Sequence, residues 1–316
     1  MESNKPAFLF PGQGSQTVGM GRAMAAAFPE SRAVFDEADA ALGFSLSSLC
    51  FEGPEDRLRL TELTQPAILA TSIAMLRPLR GRDVSPGWVA GHSLGEYSAL
   101  VCAGSLSLDE ALRLVHRRGR YMQEAVPVGR GGMAAILGLP ADQVEALCRE
   151  EAQGEVLAAA NYNSPDQIVI AGTAEAVARA VKSAPGRGAK RAIPLPVSAP
   201  FHCELMAPAR DRLAPDLGAA RFADPSCPVV TNVDALPISR GEEARERLVR
   251  QVTAPVRWEA SVREMARLGA CLFVEVGPGR VLSGLVRRIV PQATILNVED
   301  PASLDKTLTA LSGGAS

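Results

Sequence analysis

Short apolar runs, closed by glycine, proline or asparagine, alternate along this chain with longer stretches whose apolar residues recur every three or four positions. Ala7-Phe8-Leu9-Phe10 stops at Pro11-Gly12-Gln13-Gly14-Ser15-Gln16, and Val89-Ala90 runs into Gly91-His92-Ser93-Leu94-Gly95. Cys271 to Val276 ends in Gly277-Pro278-Gly279, and Pro228 to Val233 is a fourth run of this kind. Each reads as a strand, most of them leading into a polar loop. Residues from about 20 to 80 read as helices punctuated by Pro29, Gly43, Gly53-Pro54 and Pro66, with Gln65-Pro66-Ala67 opening an apolar one. Ser107-Leu108-Asp109-Glu110 has capping-box spacing and predicts a helix to about Ala125. Strands alternating with helices predict a mostly parallel α/β sheet.

From Pro127 to about Pro196 the pattern changes. A strand over 132–137, a helix over 140–151, strands over 156–161 and 167–171, a helix over 174–184 and a strand over 189–195 give the order βαββαβ. That is the ferredoxin-like arrangement. The expected organisation is therefore a large domain from residues 1–126 and 197–316, with residues 127–196 inserted as a small ferredoxin-like unit. A cleft between two such units is where a substrate would lie. The tail from Leu311 to Ser316 is expected to be small and flexible.

Composition narrows the function classes. With 316 residues, 47% hydrophobic content and 22% charged, the chain can bury a substantial core. A formal net charge of −2 without dense basic tracts argues against nucleic acid and against an anionic membrane surface. No apolar run approaches membrane-spanning length and the first residues carry no leader pattern, so a cytoplasmic protein is expected. The cysteines Cys50, Cys102, Cys148, Cys203, Cys227 and Cys271 lack Cys-x-x-Cys spacing; they read as reduced core residues, with no metal site expected.

Candidate chemistry centres on Gly91-His92-Ser93-Leu94-Gly95, a Gly-x-Ser-x-Gly sequence between a strand and a helix. Such a turn needs small neighbours and exposes its serine beside free backbone N–H groups at a helix start. Ser93 is then either a nucleophile or a helix-capping serine. A nucleophilic serine needs a proton acceptor, and the chain has three histidines. His92 is its immediate neighbour, and His116 falls on the polar side of the helix after Ser107. His202 remains, in the proline-rich stretch beyond the inserted unit, as a base or as a histidine packed at a helix start. On the helix after Ser107 the 3.6-residue period puts Arg118 on the apolar face with Leu114, Val115 and Met122. A buried guanidinium needs a partner, either a protein carboxylate or an anionic ligand. The loop at Gln13 has neither a dinucleotide fingerprint nor a P-loop lysine, and is either a donor to a substrate oxygen or an ordinary turn.

Taken together, these residues resemble a known family. Phe10-Pro11-Gly12-Gln13-Gly14-Ser15-Gln16, Gly91 to Ser98, Arg118-Gly119 with Met122-Gln123, Asn161 through Ala171, Phe201-His202 with Leu205-Met206, Asn232-Val233-Asp234 and Glu275 to Gly279 resemble, in order, the motifs of malonyl-CoA:acyl-carrier-protein transacylases. The resemblance implies an α/β-hydrolase-like fold with a ferredoxin-like insertion. It implies Ser93 as nucleophile, His202 as general base, the backbone N–H groups of Gln13 and Leu94 as oxyanion donors, and the main-chain carbonyl of Gln251 as the group orienting His202. Arg118 would pair with the malonyl carboxylate, and Phe201 resembles the bulky residue that accompanies malonyl rather than methylmalonyl selection. Malonyl-CoA is the implied substrate, and the acceptor is the phosphopantetheine thiol carried by acyl carrier protein, with no cofactor bound to this chain, which is expected to be a monomer. Arg187, Lys190 and Arg191 would either meet the acidic carrier or lie in a solvated loop. A discrete acyltransferase serving a polyketide synthase, a serine thioesterase or esterase, and a non-enzymatic binding module are the competing readings.

Overall fold

The computed structural model describes residues 5–197 and 199–313. Strand β1 (Ala7–Phe10) leads through α1 (Arg22–Ala27), α2 (Pro29–Leu42), α3 (Leu46–Glu52), α4 (Glu55–Leu58) and α5 (Thr61–Arg80) to β2 (Trp88–Gly91), α6 (Gly95–Cys102) and α7 (Leu108–Glu124). A second group follows: β3 (Gly131–Leu137), α8 (Ala141–Ala152), β4 (Leu157–Ser164), β5 (Gln167–Thr173), α9 (Ala174–Ser183) and β6 (Arg191–Pro194). The chain continues through α10 (Ala207–Ala219), β7 (Val229–Val230), β8 (Pro237–Ile238), α11 (Gly241–Gln251), α12 (Trp258–Arg267), β9 (Leu272–Val276), α13 (Val281–Ile289), β10 (Thr294–Val298) and α14 (Pro301–Gly313).

The larger sheet has the order β10-β9-β1-β2-β7-β8, parallel except where β8 pairs antiparallel with β7. Its central strands are apolar on both faces because helices cover both. On β1, Phe8 and Phe10 pack into the core under α2, α5, α6 and α7, while Ala7 and Leu9 face Trp258, Val262, Leu282 and Val286 of α12 and α13. The smaller sheet, β4-β5-β3-β6, is antiparallel throughout and has its own core with α8 and α9. Read against the βαββαβ order, this is the ferredoxin-like topology. Main-chain bonds tie the smaller sheet to the segment between α11 and α12, Val256 N–H donating to Ala160 and Tyr162 N–H to Val256 at 2.9 Å each.

Several elements depart from the expectation drawn from the sequence. Pro66 is the sixth residue of α5, which begins at Thr61 rather than at Gln65; with no N–H of its own it cannot donate to the carbonyl of Glu62 four residues earlier. Strand β7 is only two residues long, and β10 has no counterpart in the sequence reading; its Thr294-Ile295-Leu296-Asn297 is half-exposed and lacks a continuous apolar run. Strand β4 extends to Ser164, so the turn into β5 is only Pro165-Asp166. Cys271 is exposed and Cys227 half-buried, so the cysteines are not all core residues. Leu311, Ser312 and Gly313 belong to α14 rather than to a loose tail, while Ser198 and residues 314–316 lie outside the described residues.

The sheet is tightest where β1, β2 and α6 meet. A Cβ on Gly91 would overlap the main chain of Gly95, and one on Gly95 would overlap the Phe10 carbonyl. Gly95→Ala is therefore expected to cost about 3 kcal/mol or more. Gly218→Ala, in α10 with open space around it, should instead raise stability by up to about 1 kcal/mol. Thermal or urea unfolding of the two variants checks both signs.

Candidate active site

The elbow places Ser93 at φ 50°, in the left-handed region, between the end of β2 and the start of α6. So strained a backbone persists only where its surroundings over-determine it. Here Ser93 N–H donates to Asn232 Oδ1 at 2.7 Å, and Gln251 Nε2 donates to the Ser93 carbonyl at 3.0 Å. His202 has φ 60° and lies just before a short 3-10 turn, Glu204–Met206.

Ser93 Oγ is 2.7 Å from His202 Nε2, and His202 Nδ1 is 2.9 Å from the Gln251 carbonyl oxygen. A carbonyl can only accept, so Nδ1 carries the proton and Nε2 presents its lone pair to the serine hydroxyl. Burial, and after it the charge of Arg118, hold the imidazole down at about 3, so the ring is neutral at neutral pH. Arg118 is 1% exposed on α7. Its Nη1 donates to Gln65 Oε1 at 2.9 Å, and its Nη2 to Gln251 Oε1 at 3.0 Å and Ser93 Oγ at 3.1 Å. Among the described residues it makes no ion pair. The protein thus supplies this cation with oxygens of neutral groups.

Gln13 and Leu94 flank the same serine, and neither backbone N–H has a protein acceptor among the described residues. Phe201 is half-buried beside His202. Ser93, Arg118, Phe201 and His202, with Met122 and Met133, line a chamber of about 110 Å³. At roughly 30 Å³ per water in the liquid, it has room for a short acyl group. A cleft of about 590 Å³ between the two sheets shares Gln13, His92, Asn161 and Val197 with the chamber and reaches Arg59 and Val281.

Several polar residues in the site had no role in the sequence reading. Gln65 reaches Arg118 from α5, and His92 Nε2 bonds Asn163 Oδ1 of β4 at 2.8 Å. Asn232 and Glu96 both lie in motifs quoted above, yet nothing in their spacing showed that they bond each other. Glu96 Oε2 accepts from Asn232 N–H at 2.8 Å and from Gln251 Nε2 at 3.0 Å. Cys203, next to His202, donates to the Pro200 carbonyl, and burial pushes its thiol up to about 11. Arg187 is ion-paired with Glu150.

Residues 7–304 match the acyl transferase domain family. This chain belongs to that family. It is 50% identical to the malonyl CoA-acyl carrier protein transacylase of Escherichia coli K12 over 303 residues, 96% of this chain and 98% of that protein. The crystal structure of the Coxiella burnetii transacylase superposes with a TM-score of 0.95 at 43% identity, covering 96% and 97% of the two chains. A malonyl-transacylase in complex with a type II polyketide acyl-carrier protein matches at TM-score 0.95 and 48% identity, covering 97% and 99%. Within the acyl transferase family the fold is the α/β one described above, and no helix among the described residues is long and apolar enough to cross a membrane.

The neutral, buried His202 has a stability consequence in this acyl transferase. Its folded-state value lies below the ordinary 6.5, so the unfolded chain takes up the proton first and stability falls as pH drops from about 6.5 towards 3. His202→Asn removes that dependence. Lowering the pH from 7 to 5 should shift the stability difference against the wild type by about 2 kcal/mol, read from urea midpoints of both proteins at each pH; parallel curves would contradict the neutral assignment.

Proposed function

We propose that the protein transfers a malonyl group from malonyl-CoA to the phosphopantetheine thiol of acyl carrier protein, through a malonyl-serine intermediate. The observation that carries this reading is the Ser93 hydroxyl held between His202 Nε2 and Arg118 Nη2, with no carboxylate among the described residues paired to that guanidinium. A serine with a neutral imidazole acceptor is equipped for acyl transfer. A buried cation bonded only to neutral groups beside it is equipped for an acyl chain that ends in an anion.

In the first half-reaction Ser93 Oγ attacks the thioester carbonyl carbon as its proton passes to His202 Nε2. The negative charge on the tetrahedral oxygen is met by the backbone N–H groups of Gln13 and Leu94. The C–S bond then breaks, His202 returns the proton to the departing CoA sulfur, and malonyl remains as an ester on Ser93. In the second half the carrier's thiol gives its proton to His202 and attacks that ester, which restores the Ser93 hydroxyl. The Gln251 carbonyl keeps the histidine in one tautomer through both halves, the role an aspartate has in many serine hydrolases. Phe201, at the wall of the chamber, would crowd a branched acyl chain. On this reading residues 1–126 and 197–316 form the catalytic domain and residues 127–196 the inserted ferredoxin-like unit. The protein then works in the cytoplasm as a monomer, with no bound cofactor.

A second carrier is favoured by one specific observation. The neighbour solved with a type II polyketide acyl-carrier protein is as similar in fold as the Coxiella burnetii transacylase. The chemistry is the same, and only the partner differs.

Intact-mass analysis tests the reading. Mixing with malonyl-CoA should add one malonyl group, absent in Ser93→Ala, and holo acyl carrier protein should then remove it. Arg118→Ala should lower malonyl acylation at least about 100-fold, the loss of a charge-assisted, bidentate contact. Rapid loss of the adduct to water without carrier would indicate a hydrolase, and no adduct would reject the transferase.

A further inference from the structure

Glu96 is fully buried in the first turn of α6, three residues beyond Ser93. A buried carboxylate is costly unless its oxygens are bonded, and both of its bonds converge on Oε2: the Asn232 N–H at 2.8 Å and Gln251 Nε2 at 3.0 Å. The other oxygen, Oε1, has no partner among the described residues. Every one of these contacts leads back to the site. Asn232 Oδ1 holds the Ser93 N–H, and Asn232 Nδ2 donates to the Gly91 carbonyl at 2.7 Å. Gln251 holds His202 by its main chain and Arg118 by its side-chain oxygen.

The Gln251 amide supplies one of the three side-chain oxygens that hold Arg118. Its oxygen faces the guanidinium because its nitrogen faces acceptors: the Ser93 carbonyl and Glu96 Oε2, each at 3.0 Å, and Asn232 Oδ1 at 3.3 Å. Turned over, the amide would set N–H against N–H at Arg118 and oxygen against oxygen at each of these acceptors, in a dry interior; of them Glu96 is the one that carries a carboxyl group. We propose that Glu96 is a positioning residue: by accepting from Gln251 it fixes that amide's orientation, and thereby aims Arg118 at the carboxylate end of the acyl group. This rests on Arg118 as the carboxylate partner and extends it to a residue that touches no substrate.

The test compares malonyl-CoA with acetyl-CoA, a neutral acyl donor, in acylation of Ser93. Arg118→Ala tests the underlying reading, since it should collapse the malonyl-over-acetyl preference in kcat/KM. Glu96→Asp withdraws the acceptor by about one carbon–carbon bond and should lower that preference about tenfold, chiefly through malonyl-CoA, with acetyl transfer nearly unchanged. Glu96→Gln can keep an oxygen at the Oε2 position and should restore the preference to within about threefold of wild type. If Glu96→Asp does not fold, Glu96→Met, which fills a similar volume without a carboxylate acceptor, carries the same comparison. Equal losses for malonyl and acetyl donors in the variant measured would mean that Glu96 merely supports the fold, and an unchanged preference would equally overturn the proposal. A wild-type preference that survives Arg118→Ala would overturn the carboxylate reading itself.

Discussion

The constraint on which the rest of the site depends is a guanidinium buried without an ion pair among the described residues. Taking such a charge out of water costs several kcal/mol even after relaxation, and the usual remedy is a carboxylate in contact. Arg118 has instead the side-chain oxygens of Gln65, Gln251 and Ser93 and, 5.7 Å away, the face of the Tyr97 ring. These neutral groups solvate the cation without neutralising it. The nearest carboxylate influence is that of Glu96, which shares the amide of Gln251 with it rather than pairing directly. Burial pushes Glu96 up to about 7, against the pull of Asn232, Gln251, Arg118 and Arg247. The interior thus separates the guanidinium from the one carboxyl group near it by a single amide, whose oxygen faces the first and whose nitrogen faces the second.

Backbone geometry serves the same arrangement. The strained turn at Ser93 exists because Gly91 and Gly95 let β2 and α6 approach to main-chain contact, and because β1 lies close enough for His92 N–H to donate to the Phe10 carbonyl at 3.0 Å. That closeness brings the loop after β1, with Gln13, beside the start of α6, with Leu94. Gln13, from the loop after β1, and Leu94, at the start of α6, therefore line the same chamber as Ser93. The smaller sheet closes the other side, tied to the elbow by the His92–Asn163 bond and to the segment after Gln251 by Val256. A displacement of β4 would thus be felt at both the serine and the histidine ends of the site.

How much of this was legible in the sequence follows from the kind of signal each residue leaves. Ser93 stands in a motif whose glycines have a steric cause, and Arg118 showed its inward face through helical periodicity. His202 came from elimination among three histidines. Gln13, Leu94 and Gln251 would act through main-chain atoms, which any residue carries; the loop at Gln13 left a donor and a turn both open, and only the family resemblance pointed to Leu94 and Gln251. Asn232, Gln65 and the side chain of Gln251 leave no periodic trace. Their bonds join positions 19 to 158 residues apart, and a polar amide in a loop or on a helix face reads the same whether or not it is buried. The same limit explains β7 and β10. A two-residue strand has no period, and a half-exposed edge strand has no apolar run.

The absence of an acid behind His202 has a physical rationale on the transfer reading. An aspartate at Nδ1 would bring a second anion into a site that must admit a carboxylate, and would compete for Arg118. The Gln251 carbonyl fixes the tautomer with a dipole alone, and leaves the histidine weakly basic, burial being the larger cause and Arg118 the next. That second cause is conditional. When a malonyl carboxylate pairs with Arg118, the guanidinium no longer opposes a proton on His202, and the imidazole becomes a better base just as the thioester arrives. An acetyl donor brings no anion, so the repulsion persists during attack. On the transfer reading, selection for a charged acyl chain would then be exercised twice by one arginine, once in binding and once through the basicity of the group that takes the serine proton.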